Sequence, residues 1–212
     1  MKITVFGATG ATGKKVVEQA LELGYEVKAF VRNPEKMDII NEKLTLVKGD
    51  VTNSENVDQA IDGVEGVIVA LGASPDMQSD LVMEQGTKNI IDAMKKHGVK
   101  RIIVQSSYAM SGFPESVEFM RSMGMGDEQI AMMKPVLDDK KKQTEAVTES
   151  GMEYVVVRPL MLTDTDKTGN YRVAEKLDVK VGDQISRADV ADFMLKSLTS
   201  DDWLNKTVTV SY

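Results

Sequence analysis

The feature that most constrains the fold is a glycine-rich turn between the first predicted strand and the first predicted helix. Residues 7–13 read GATGATG and place a glycine at every third position, directly after the strand-like run 2–6. Glycine lets the chain turn sharply and lets backbone N–H groups approach a bound anion closely. The amino end of the following helix adds unpaired N–H donors and positive partial charge. The turn therefore predicts a strand, a phosphate-binding loop and a helix in succession.

Strand-like runs alternate with helical segments along the chain. The runs are rich in β-branched residues and almost continuously apolar, which is typical of strands buried on both faces of a parallel sheet. They are predicted at 2–6, 26–31, 44–48, 66–70, 101–105 and 154–158, with 207–210 expected to close the sheet at one edge. Helices are predicted at 11–23, 54–61, 77–96, 138–150 and 187–198. This alternation predicts an α/β protein of the Rossmann type, with a doubly wound, mostly parallel sheet and helices on both faces.

The chain is predicted to form one domain, residues 1–212, with one interruption at about 112–135. That region carries five methionines and three glycines. One interpretation is a helical insertion that uses methionine to fill its core. The other is a mobile flap whose methionines pack against a flat ligand. The two interpretations are compatible with each other.

Composition limits the functions that such a domain can have. The chain has no cysteine and one histidine, so disulfides are excluded and a transition-metal site is not expected. A net charge of −7 argues against a nucleic-acid partner. No segment approaches the ~20 apolar residues of a membrane span, and the first residues do not resemble a signal peptide. We therefore expect a cytoplasmic protein that binds neither nucleic acid nor membrane.

The end of the second strand indicates which dinucleotide the glycine-rich turn serves. Sites that prefer NAD usually carry an acidic residue there, which accepts a hydrogen bond from the ribose 2′-hydroxyl. Here the strand ends at Arg32, whose planar guanidinium suits a 2′-phosphate. Lys14 or Lys36 could assist it, and the alternative is that Arg32 is only a solvated turn residue. NADP is favoured as the cofactor, with NAD still possible.

Two other strand ends supply candidate cofactor contacts. Asp50 and Val51 follow the third strand, where an adenine could be held, although Asp50 could equally cap the next segment. Leu71 and Gly72 follow the fourth strand at the expected switch point of the sheet, where ligands of such folds bind.

Six motifs spread over nearly the whole chain carry a family resemblance. They are GATGATG at 7–13, VRNPEKM at 31–37, KGDVTN at 48–53, RIIVQSS at 101–107, ESGMEYVVVRP at 149–159 and ISRADVADFML at 185–195. Together they resemble the atypical short-chain dehydrogenase/reductase superfamily, and within it the group of biliverdin reductase B, NADH-flavin reductase-like and NmrA-like proteins. The segment 112–135 is the part that this resemblance constrains least.

The resemblance implies a role for each matching position. It assigns the pyrophosphate to Thr9, Gly10, Thr12 and Gly13, with Gly7 of the same turn also cofactor-binding, the 2′-phosphate to Arg32, and the adenine to Asp50 and Val51. It places Leu71 and Gly72 along the ribose, and Ser106, Ser107 and Pro159 beside the nicotinamide. Ser107 falls where the related reductases have a serine near the transferred hydride; its alternative is to cap the end of a strand.

One departure from the superfamily bears on chemistry. Active members often carry Tyr-x-x-x-Lys, in which the tyrosine exchanges a proton with a carbonyl group. Lys140 stands at the lysine position, but Val136 stands at the tyrosine position. Lys140 is thus a candidate catalytic residue, or binds ribose hydroxyls, or lies on a solvated helix with Lys141 and Lys142. A carbonyl reductase or sugar epimerase that depends on the tyrosine is disfavoured.

A flavin acceptor does not require that tyrosine, because solvent can supply the proton after hydride transfer. The favoured function is therefore an NADPH-dependent reductase of free flavin or a similar planar acceptor, such as a quinone or a tetrapyrrole. The flavin would be a substrate and not a prosthetic group. The alternative is a non-catalytic NADP(H) sensor of the NmrA-like type, which would act through a protein partner.

Five remaining polar positions receive structural interpretations. His97 is expected to be an exposed residue at a helix end. Asp164 and Asp166 resemble a calcium loop only in part and are predicted to form a turn. Arg187 and Asp189 begin a helix and are expected to fix the C-terminal region, with Asp189 favourable near the positive helix end.

Overall fold

The computed structural model describes residues 1–73, 81–109 and 111–212, in which strands and helices alternate. The strands are β1 (Lys2–Phe6), β2 (Glu26–Val31), β3 (Leu44–Lys48), β4 (Gly66–Val69), β5 (Arg101–Gln105), β6 (Glu153–Pro159), β7 (Met161–Thr163), β8 (Arg172–Ala174), β9 (Gln184–Ser186) and β10 (Lys206–Ser211). The helices are α1 (Ala11–Glu22), α2 (Ser54–Ile61), α3 (Met83–His97), α4 (Pro114–Ser122), α5 (Asp127–Met132), α6 (Lys134–Thr148) and α7 (Arg187–Lys196). The predicted start of the third helix, at Met77, lies outside the described residues.

The central sheet has the strand order β3-β2-β1-β4-β5-β6-β10-β8 in the described part of the chain. Its strands run parallel, except that β8 is antiparallel to β10. The order changes direction between β1 and β4, which is the switch point of a doubly wound sheet. The predicted Rossmann-type fold is confirmed. Strands β7 and β9 form a separate parallel pair.

Helices cover both faces of this sheet. On one face α1 packs against α7, and on the other α3 packs between α2 and α6. The middle of β5 shows why both faces are apolar: Ile103 belongs to the core under α1 and α7, whereas Ile102 and Val104 belong to the core under α2, α3 and α6. All three side chains are fully buried. The continuous apolar run in the sequence therefore reflects burial on both sides, as predicted.

The edges of the sheet differ from the prediction. Strand β3 was expected to be buried on both faces, but it is the edge strand and Leu46 is 39% exposed. Strand β10 does not close the sheet, since it lies between β6 and β8. The short strands β7, β8 and β9 were not predicted, because three residues are too few to show a strand periodicity. No helix among the described residues is long and apolar enough to cross a bilayer.

The methionine-rich region forms two short helices, α4 and α5, and the start of α6. Met120, Ile130 and Leu137 are buried in a small core of their own, and Met123, Met125, Met133 and Val117 pack around it. This arrangement agrees with the interpretation of methionine as core filler, because an unbranched thioether adapts to irregular gaps.

Candidate cofactor-binding and active site

A cavity of about 550 Å³ opens at the carboxyl ends of the parallel strands. The predicted site residues that line it are Gly7, Thr9, Gly10, Thr12, Arg32, Asp50, Val51, Leu71, Gly72, Ser106, Ser107 and Lys140. Gly13 and Pro159 are the predicted site residues outside the lining. The fold thus brings together residues that are up to about 130 positions apart in sequence, as expected for strand ends that meet at one edge.

The glycine-rich turn is held by backbone approaches that leave no room for a side chain. Gly7 has a φ of 77°, and a Cβ atom there would lie 2.4 Å from the carbonyl oxygen of Ala70. A Cβ atom on Gly13 would lie 2.1 Å from the carbonyl oxygen of Gly7. Gly13 therefore allows α1 to pack against the turn and does not itself form the cavity wall. The resemblance had placed Gly13 on the pyrophosphate; its position in the structure indicates a packing role.

The amino end of α1 faces the cavity without a side-chain cap. Gly10 is the N-cap residue and provides no side-chain cap, and the first turn contains no acidic residue. Ala11 and Thr12 of this turn line the cavity. Uncapped N–H groups and the positive end of a helix form an anion-binding site. The structure thus fits the diphosphate of a dinucleotide at this position.

The far end of the cavity combines an exposed arginine with a capped aspartate. Arg32 is exposed and lies at the rim beside Asp50. The Asp50 carboxylate accepts hydrogen bonds from Thr52 N (2.8 Å) and Thr52 Oγ1 (2.6 Å). These bonds, and to a smaller extent the charge of Arg32, hold the pKa of Asp50 below its usual range. Asp50 therefore caps the segment that follows β3, and it also lines the cavity.

The two lysines considered as helpers of Arg32 do not line the cavity. Lys14 Nζ lies 2.8 Å from Asp38 Oδ1, so it ties α1 to the segment that follows Arg32. Lys36 is exposed in a short 3-10 turn, Pro34–Lys36. Of the cations considered for a 2′-phosphate, Arg32 is the one at the cavity rim.

Lys140 is buried at the inner end of the cavity. Its ammonium group donates to the carbonyl oxygens of Leu71 (3.0 Å) and Gln105 (3.4 Å) and to Gln143 Oε1 (2.9 Å). Burial lowers the pKa of Lys140 to about 8. Leu71 follows β4 and Gln105 is the last residue of β5, so Lys140 links the ends of these two strands. The interpretation of Lys140 as part of a solvated helix surface is wrong.

The strand ends beside Lys140 provide serine hydroxyls and one apolar side chain. Ser106 is buried, with Oγ 3.2 Å from Thr144 Oγ1. Ser107 is partly exposed to the cavity, and Val136 contributes an apolar surface at the position where the superfamily often has tyrosine. Pro159 lies behind this wall, where its carbonyl oxygen accepts from Tyr108 N at 3.0 Å. Pro159 is thus close to the serines but separated from the cavity.

Several lining residues were not predicted as site residues from the sequence. They are Phe30, Val82, Met83, Gln105, Leu162 and Arg187, with Ala11, Val31, Ala70, Ala73 and Val136 as neighbours of predicted positions. Most are apolar, and an apolar residue in a cavity wall has the same sequence pattern as one in the core. Arg187 had a signal, since it is a charged residue between a strand and a helix. The methionines of 112–135 are absent from this lining, so the flap interpretation gains no support from the described residues.

The other polar candidates have structural roles. His97 is mostly buried and not exposed as expected; its Nε2 atom lies 2.9 Å from Asp58 Oδ1 between α3 and α2, away from the cavity. Asp189 is fully buried and accepts hydrogen bonds from Thr168, Gly169 and the Tyr212 hydroxyl, so it fixes the C-terminal residues as predicted. No metal-ligating cluster is found among the described residues.

Comparison with known proteins agrees with this geometry. The chain matches the family described as NAD(P)H-binding over residues 7–201. It is 31% identical to an uncharacterized chloroplast protein of Arabidopsis thaliana, over 99% of this chain and 76% of the relative. It is 28% identical to the chloroplast protein TIC 62 of Pisum sativum, over 91% of this chain but only 39% of that longer protein.

Solved structures share the whole fold at lower identity. An anaerobillin reductase from Escherichia coli O157:H7 superposes with a TM-score of 0.80 at 20% identity, covering 99% of this chain and 96% of that one. A short-chain dehydrogenase/reductase from Veillonella parvula, solved in complex with NADP, gives a TM-score of 0.75 at 22% identity, covering 100% and 94%. The chain belongs to the NAD(P)H-binding family, and the solved structures confirm its fold.

Proposed function

We propose that the protein is an NADPH-dependent reductase that delivers a hydride to a planar acceptor, with free flavin as the first candidate. Bound reduced nicotinamide supplies a hydride from its C4 atom, which with one proton from solvent converts NADPH, H⁺ and oxidised flavin to NADP⁺ and reduced flavin. The observation that carries the proposal is Val136 in the cavity wall, in place of a proton-donating tyrosine. An acceptor that needs only orientation suits such a wall better than a carbonyl that needs an acid.

The residues of the chain hold and orient the two reactants. The uncapped amino end of α1 holds the diphosphate, and Arg32 holds the 2′-phosphate. Lys140 donates to the Leu71 and Gln105 carbonyls, so it positions the loops at the ends of β4 and β5. An ammonium group has three N–H donors, and all three have partners here. We therefore assign Lys140 to positioning, and Ser107 to contact with the reacting rings.

A non-catalytic NADP(H) sensor is the second candidate, because one relative is named for an assembly role and not for a reaction. It is a photosystem II assembly factor from Synechocystis, 22% identical over 99% of this chain and 62% of that protein. In this case the same cavity would bind the cofactor without turnover, and a protein partner would read its redox state. The expected cytoplasmic location stays a prediction, since several relatives carry chloroplast names.

The first test is cofactor oxidation by the purified protein with a panel of acceptors. We expect turnover with NADPH exceeding that with NADH, dependent on FMN, riboflavin, a quinone or biliverdin. The anaerobillin reductase among the structural neighbours is the reason to include the tetrapyrrole. Cofactor binding without turnover of any of these would reject the reductase. A pulldown whose captured protein changes with the NADP⁺/NADPH ratio would then establish the sensor.

A further inference from the structure

Arg187 brings a cation to the cavity that the cofactor assignment does not use. It is the first residue of α7 and directly follows β9, whose partner β7 begins two residues after β6. Leu162 of β7 lines the cavity beside it. In the strand order, β6 lies on the side of β5 opposite to β4, β1 and β2. Arg187 thus enters the cavity on the same side of the sheet as Ser106 and Ser107. Arg32, at the end of β2, lies on the other side.

The partner that holds Arg187 is easily displaced. Its guanidinium Nη1 donates to Asp164 Oδ1 at 2.8 Å. The Arg187 side chain is 23% exposed, whereas Asp164 is 84% exposed in the irregular segment after β7. A carboxylate that is this exposed keeps most of its hydration, so its ion pair contributes little net free energy. The other acid of the helix start, Asp189, is occupied by hydrogen bonds from the 168–169 turn and Tyr212.

The phosphates of the cofactor already have receptors in this structure. The amino end of α1 faces the diphosphate position, and Arg32 lies at the other end of the cavity. Arg187 is the lining cation that neither these two assignments nor the positioning role of Lys140 uses. Its planar fork of N–H donors suits a carboxylate or a phosphate monoester.

We propose that Arg187 is the docking group for an anionic substituent of the acceptor, and that Asp164 occupies its guanidinium until the acceptor arrives. This inference rests on the proposed reductase function and narrows its substrate class to planar acceptors that carry a phosphate or a carboxylate. A free flavin would offer its phosphate, and a tetrapyrrole its propionates. The same ring system without the anion would be a poorer substrate.

The test compares matched acceptors that differ only in this anion. FMN against riboflavin tests a phosphate, and biliverdin against its dimethyl ester tests a carboxylate. We expect the wild type to prefer the anionic member of at least one pair in kcat/KM. Arg187→Gln should reduce that preference about tenfold or more, the range of a lost charge-assisted hydrogen bond. Arg187→Lys should retain part of the preference for the anionic acceptor. Asp164→Asn should raise that preference, because the competing carboxylate is gone.

Lys167→Gln is the control, since Lys167 is an exposed cation near α7 that pairs with Asp192 and does not line the cavity. It should leave both ratios unchanged. If Arg187→Gln lowers kcat/KM equally for charged and uncharged acceptors, or weakens the binding of NADPH, the docking role is wrong. The proposed reductase function would not be affected by that result. If no acceptor turns over, the reductase fails separately. Fluorescence titration of the NADP⁺-loaded protein with the same pairs then decides the docking role, and equal affinity within each pair would reject it.

Discussion

The buried amine of Lys140 should make the stability of the protein rise with pH in the alkaline range. Burial lowers its pKa from 10.5 to about 8. Below about pH 8 the amine is charged in both the folded and the unfolded chain, and folding bears the full cost of burying that charge. At ~1.36 kcal/mol per pKa unit, this cost is about 3 kcal/mol. As pH rises from 8 toward 10.5, the folded state has lost the proton and the unfolded state still holds it, so the cost is relieved.

The assay is chemical unfolding of the wild type and Lys140→Met at a series of pH values. Methionine fills similar space and does not titrate. The informative quantity is therefore how the difference in unfolding free energy between the two proteins changes with pH, and not the size of that difference at one pH. Between pH 7 and about 9.5, linkage predicts that the wild type gains roughly 2 kcal/mol relative to the variant. Lys141→Met removes a half-exposed lysine from the same helix; it controls for the loss of one surface charge and should give no comparable gain. A flat difference between wild type and Lys140→Met would refute the burial argument.

Three further changes test the turn, the rim and the methionine core. Gly13→Ala places a Cβ atom 2.1 Å from the Gly7 carbonyl oxygen, so we expect a loss of roughly 1–3 kcal/mol in unfolding free energy and weaker NADPH binding, measured by denaturation and by titration. Arg32→Ala should weaken the binding of NADPH about tenfold or more and the binding of NADH little, whereas Lys36→Ala should change neither affinity. Equal losses of affinity for both cofactors in Arg32→Ala would show that Arg32 does not contact the 2′-phosphate. Met120→Ala should destabilise by about 2–3 kcal/mol and leave the Kd for NADPH unchanged, because Met120 is buried in a core that does not reach the cavity.

The sequence was sufficient for the inner strands of the central sheet and for the cofactor side of the cavity. Strands β1, β2, β4, β5 and β6 have apolar runs long enough to identify, and the rule that parallel strand ends meet at one edge gathers Gly7, Arg32, Asp50 and Leu71 around one cavity. The family pattern predicted Lys140 as a site residue, but it did not predict that the side chain is buried. Its helix also presents Lys141 and Lys142 to solvent, and three consecutive lysines give no local sign of which one faces inward.

The acceptor side was less predictable for a physical reason. Leu162 and Arg187 reach the cavity through β7 and β9, whose three-residue pairing depends on contacts between distant parts of the chain. The same holds for the sheet edges, where Leu46 is apolar in sequence yet exposed because no further strand covers β3. In the 112–135 region the methionine pattern was compatible with core or flap, and only the packing of Met120 with Ile130 and Leu137 favours the core.

The most direct test of the central claim is an anaerobic single turnover of NADPH and FMN with stoichiometric protein. The account predicts that the absorbance of reduced nicotinamide and that of oxidised flavin fall together, one equivalent for one, only when the protein is present and faster with NADPH than with NADH. If NADPH binds tightly but both absorbances stay constant, and do so with riboflavin, a quinone and biliverdin as well, the protein does not deliver a hydride to planar acceptors.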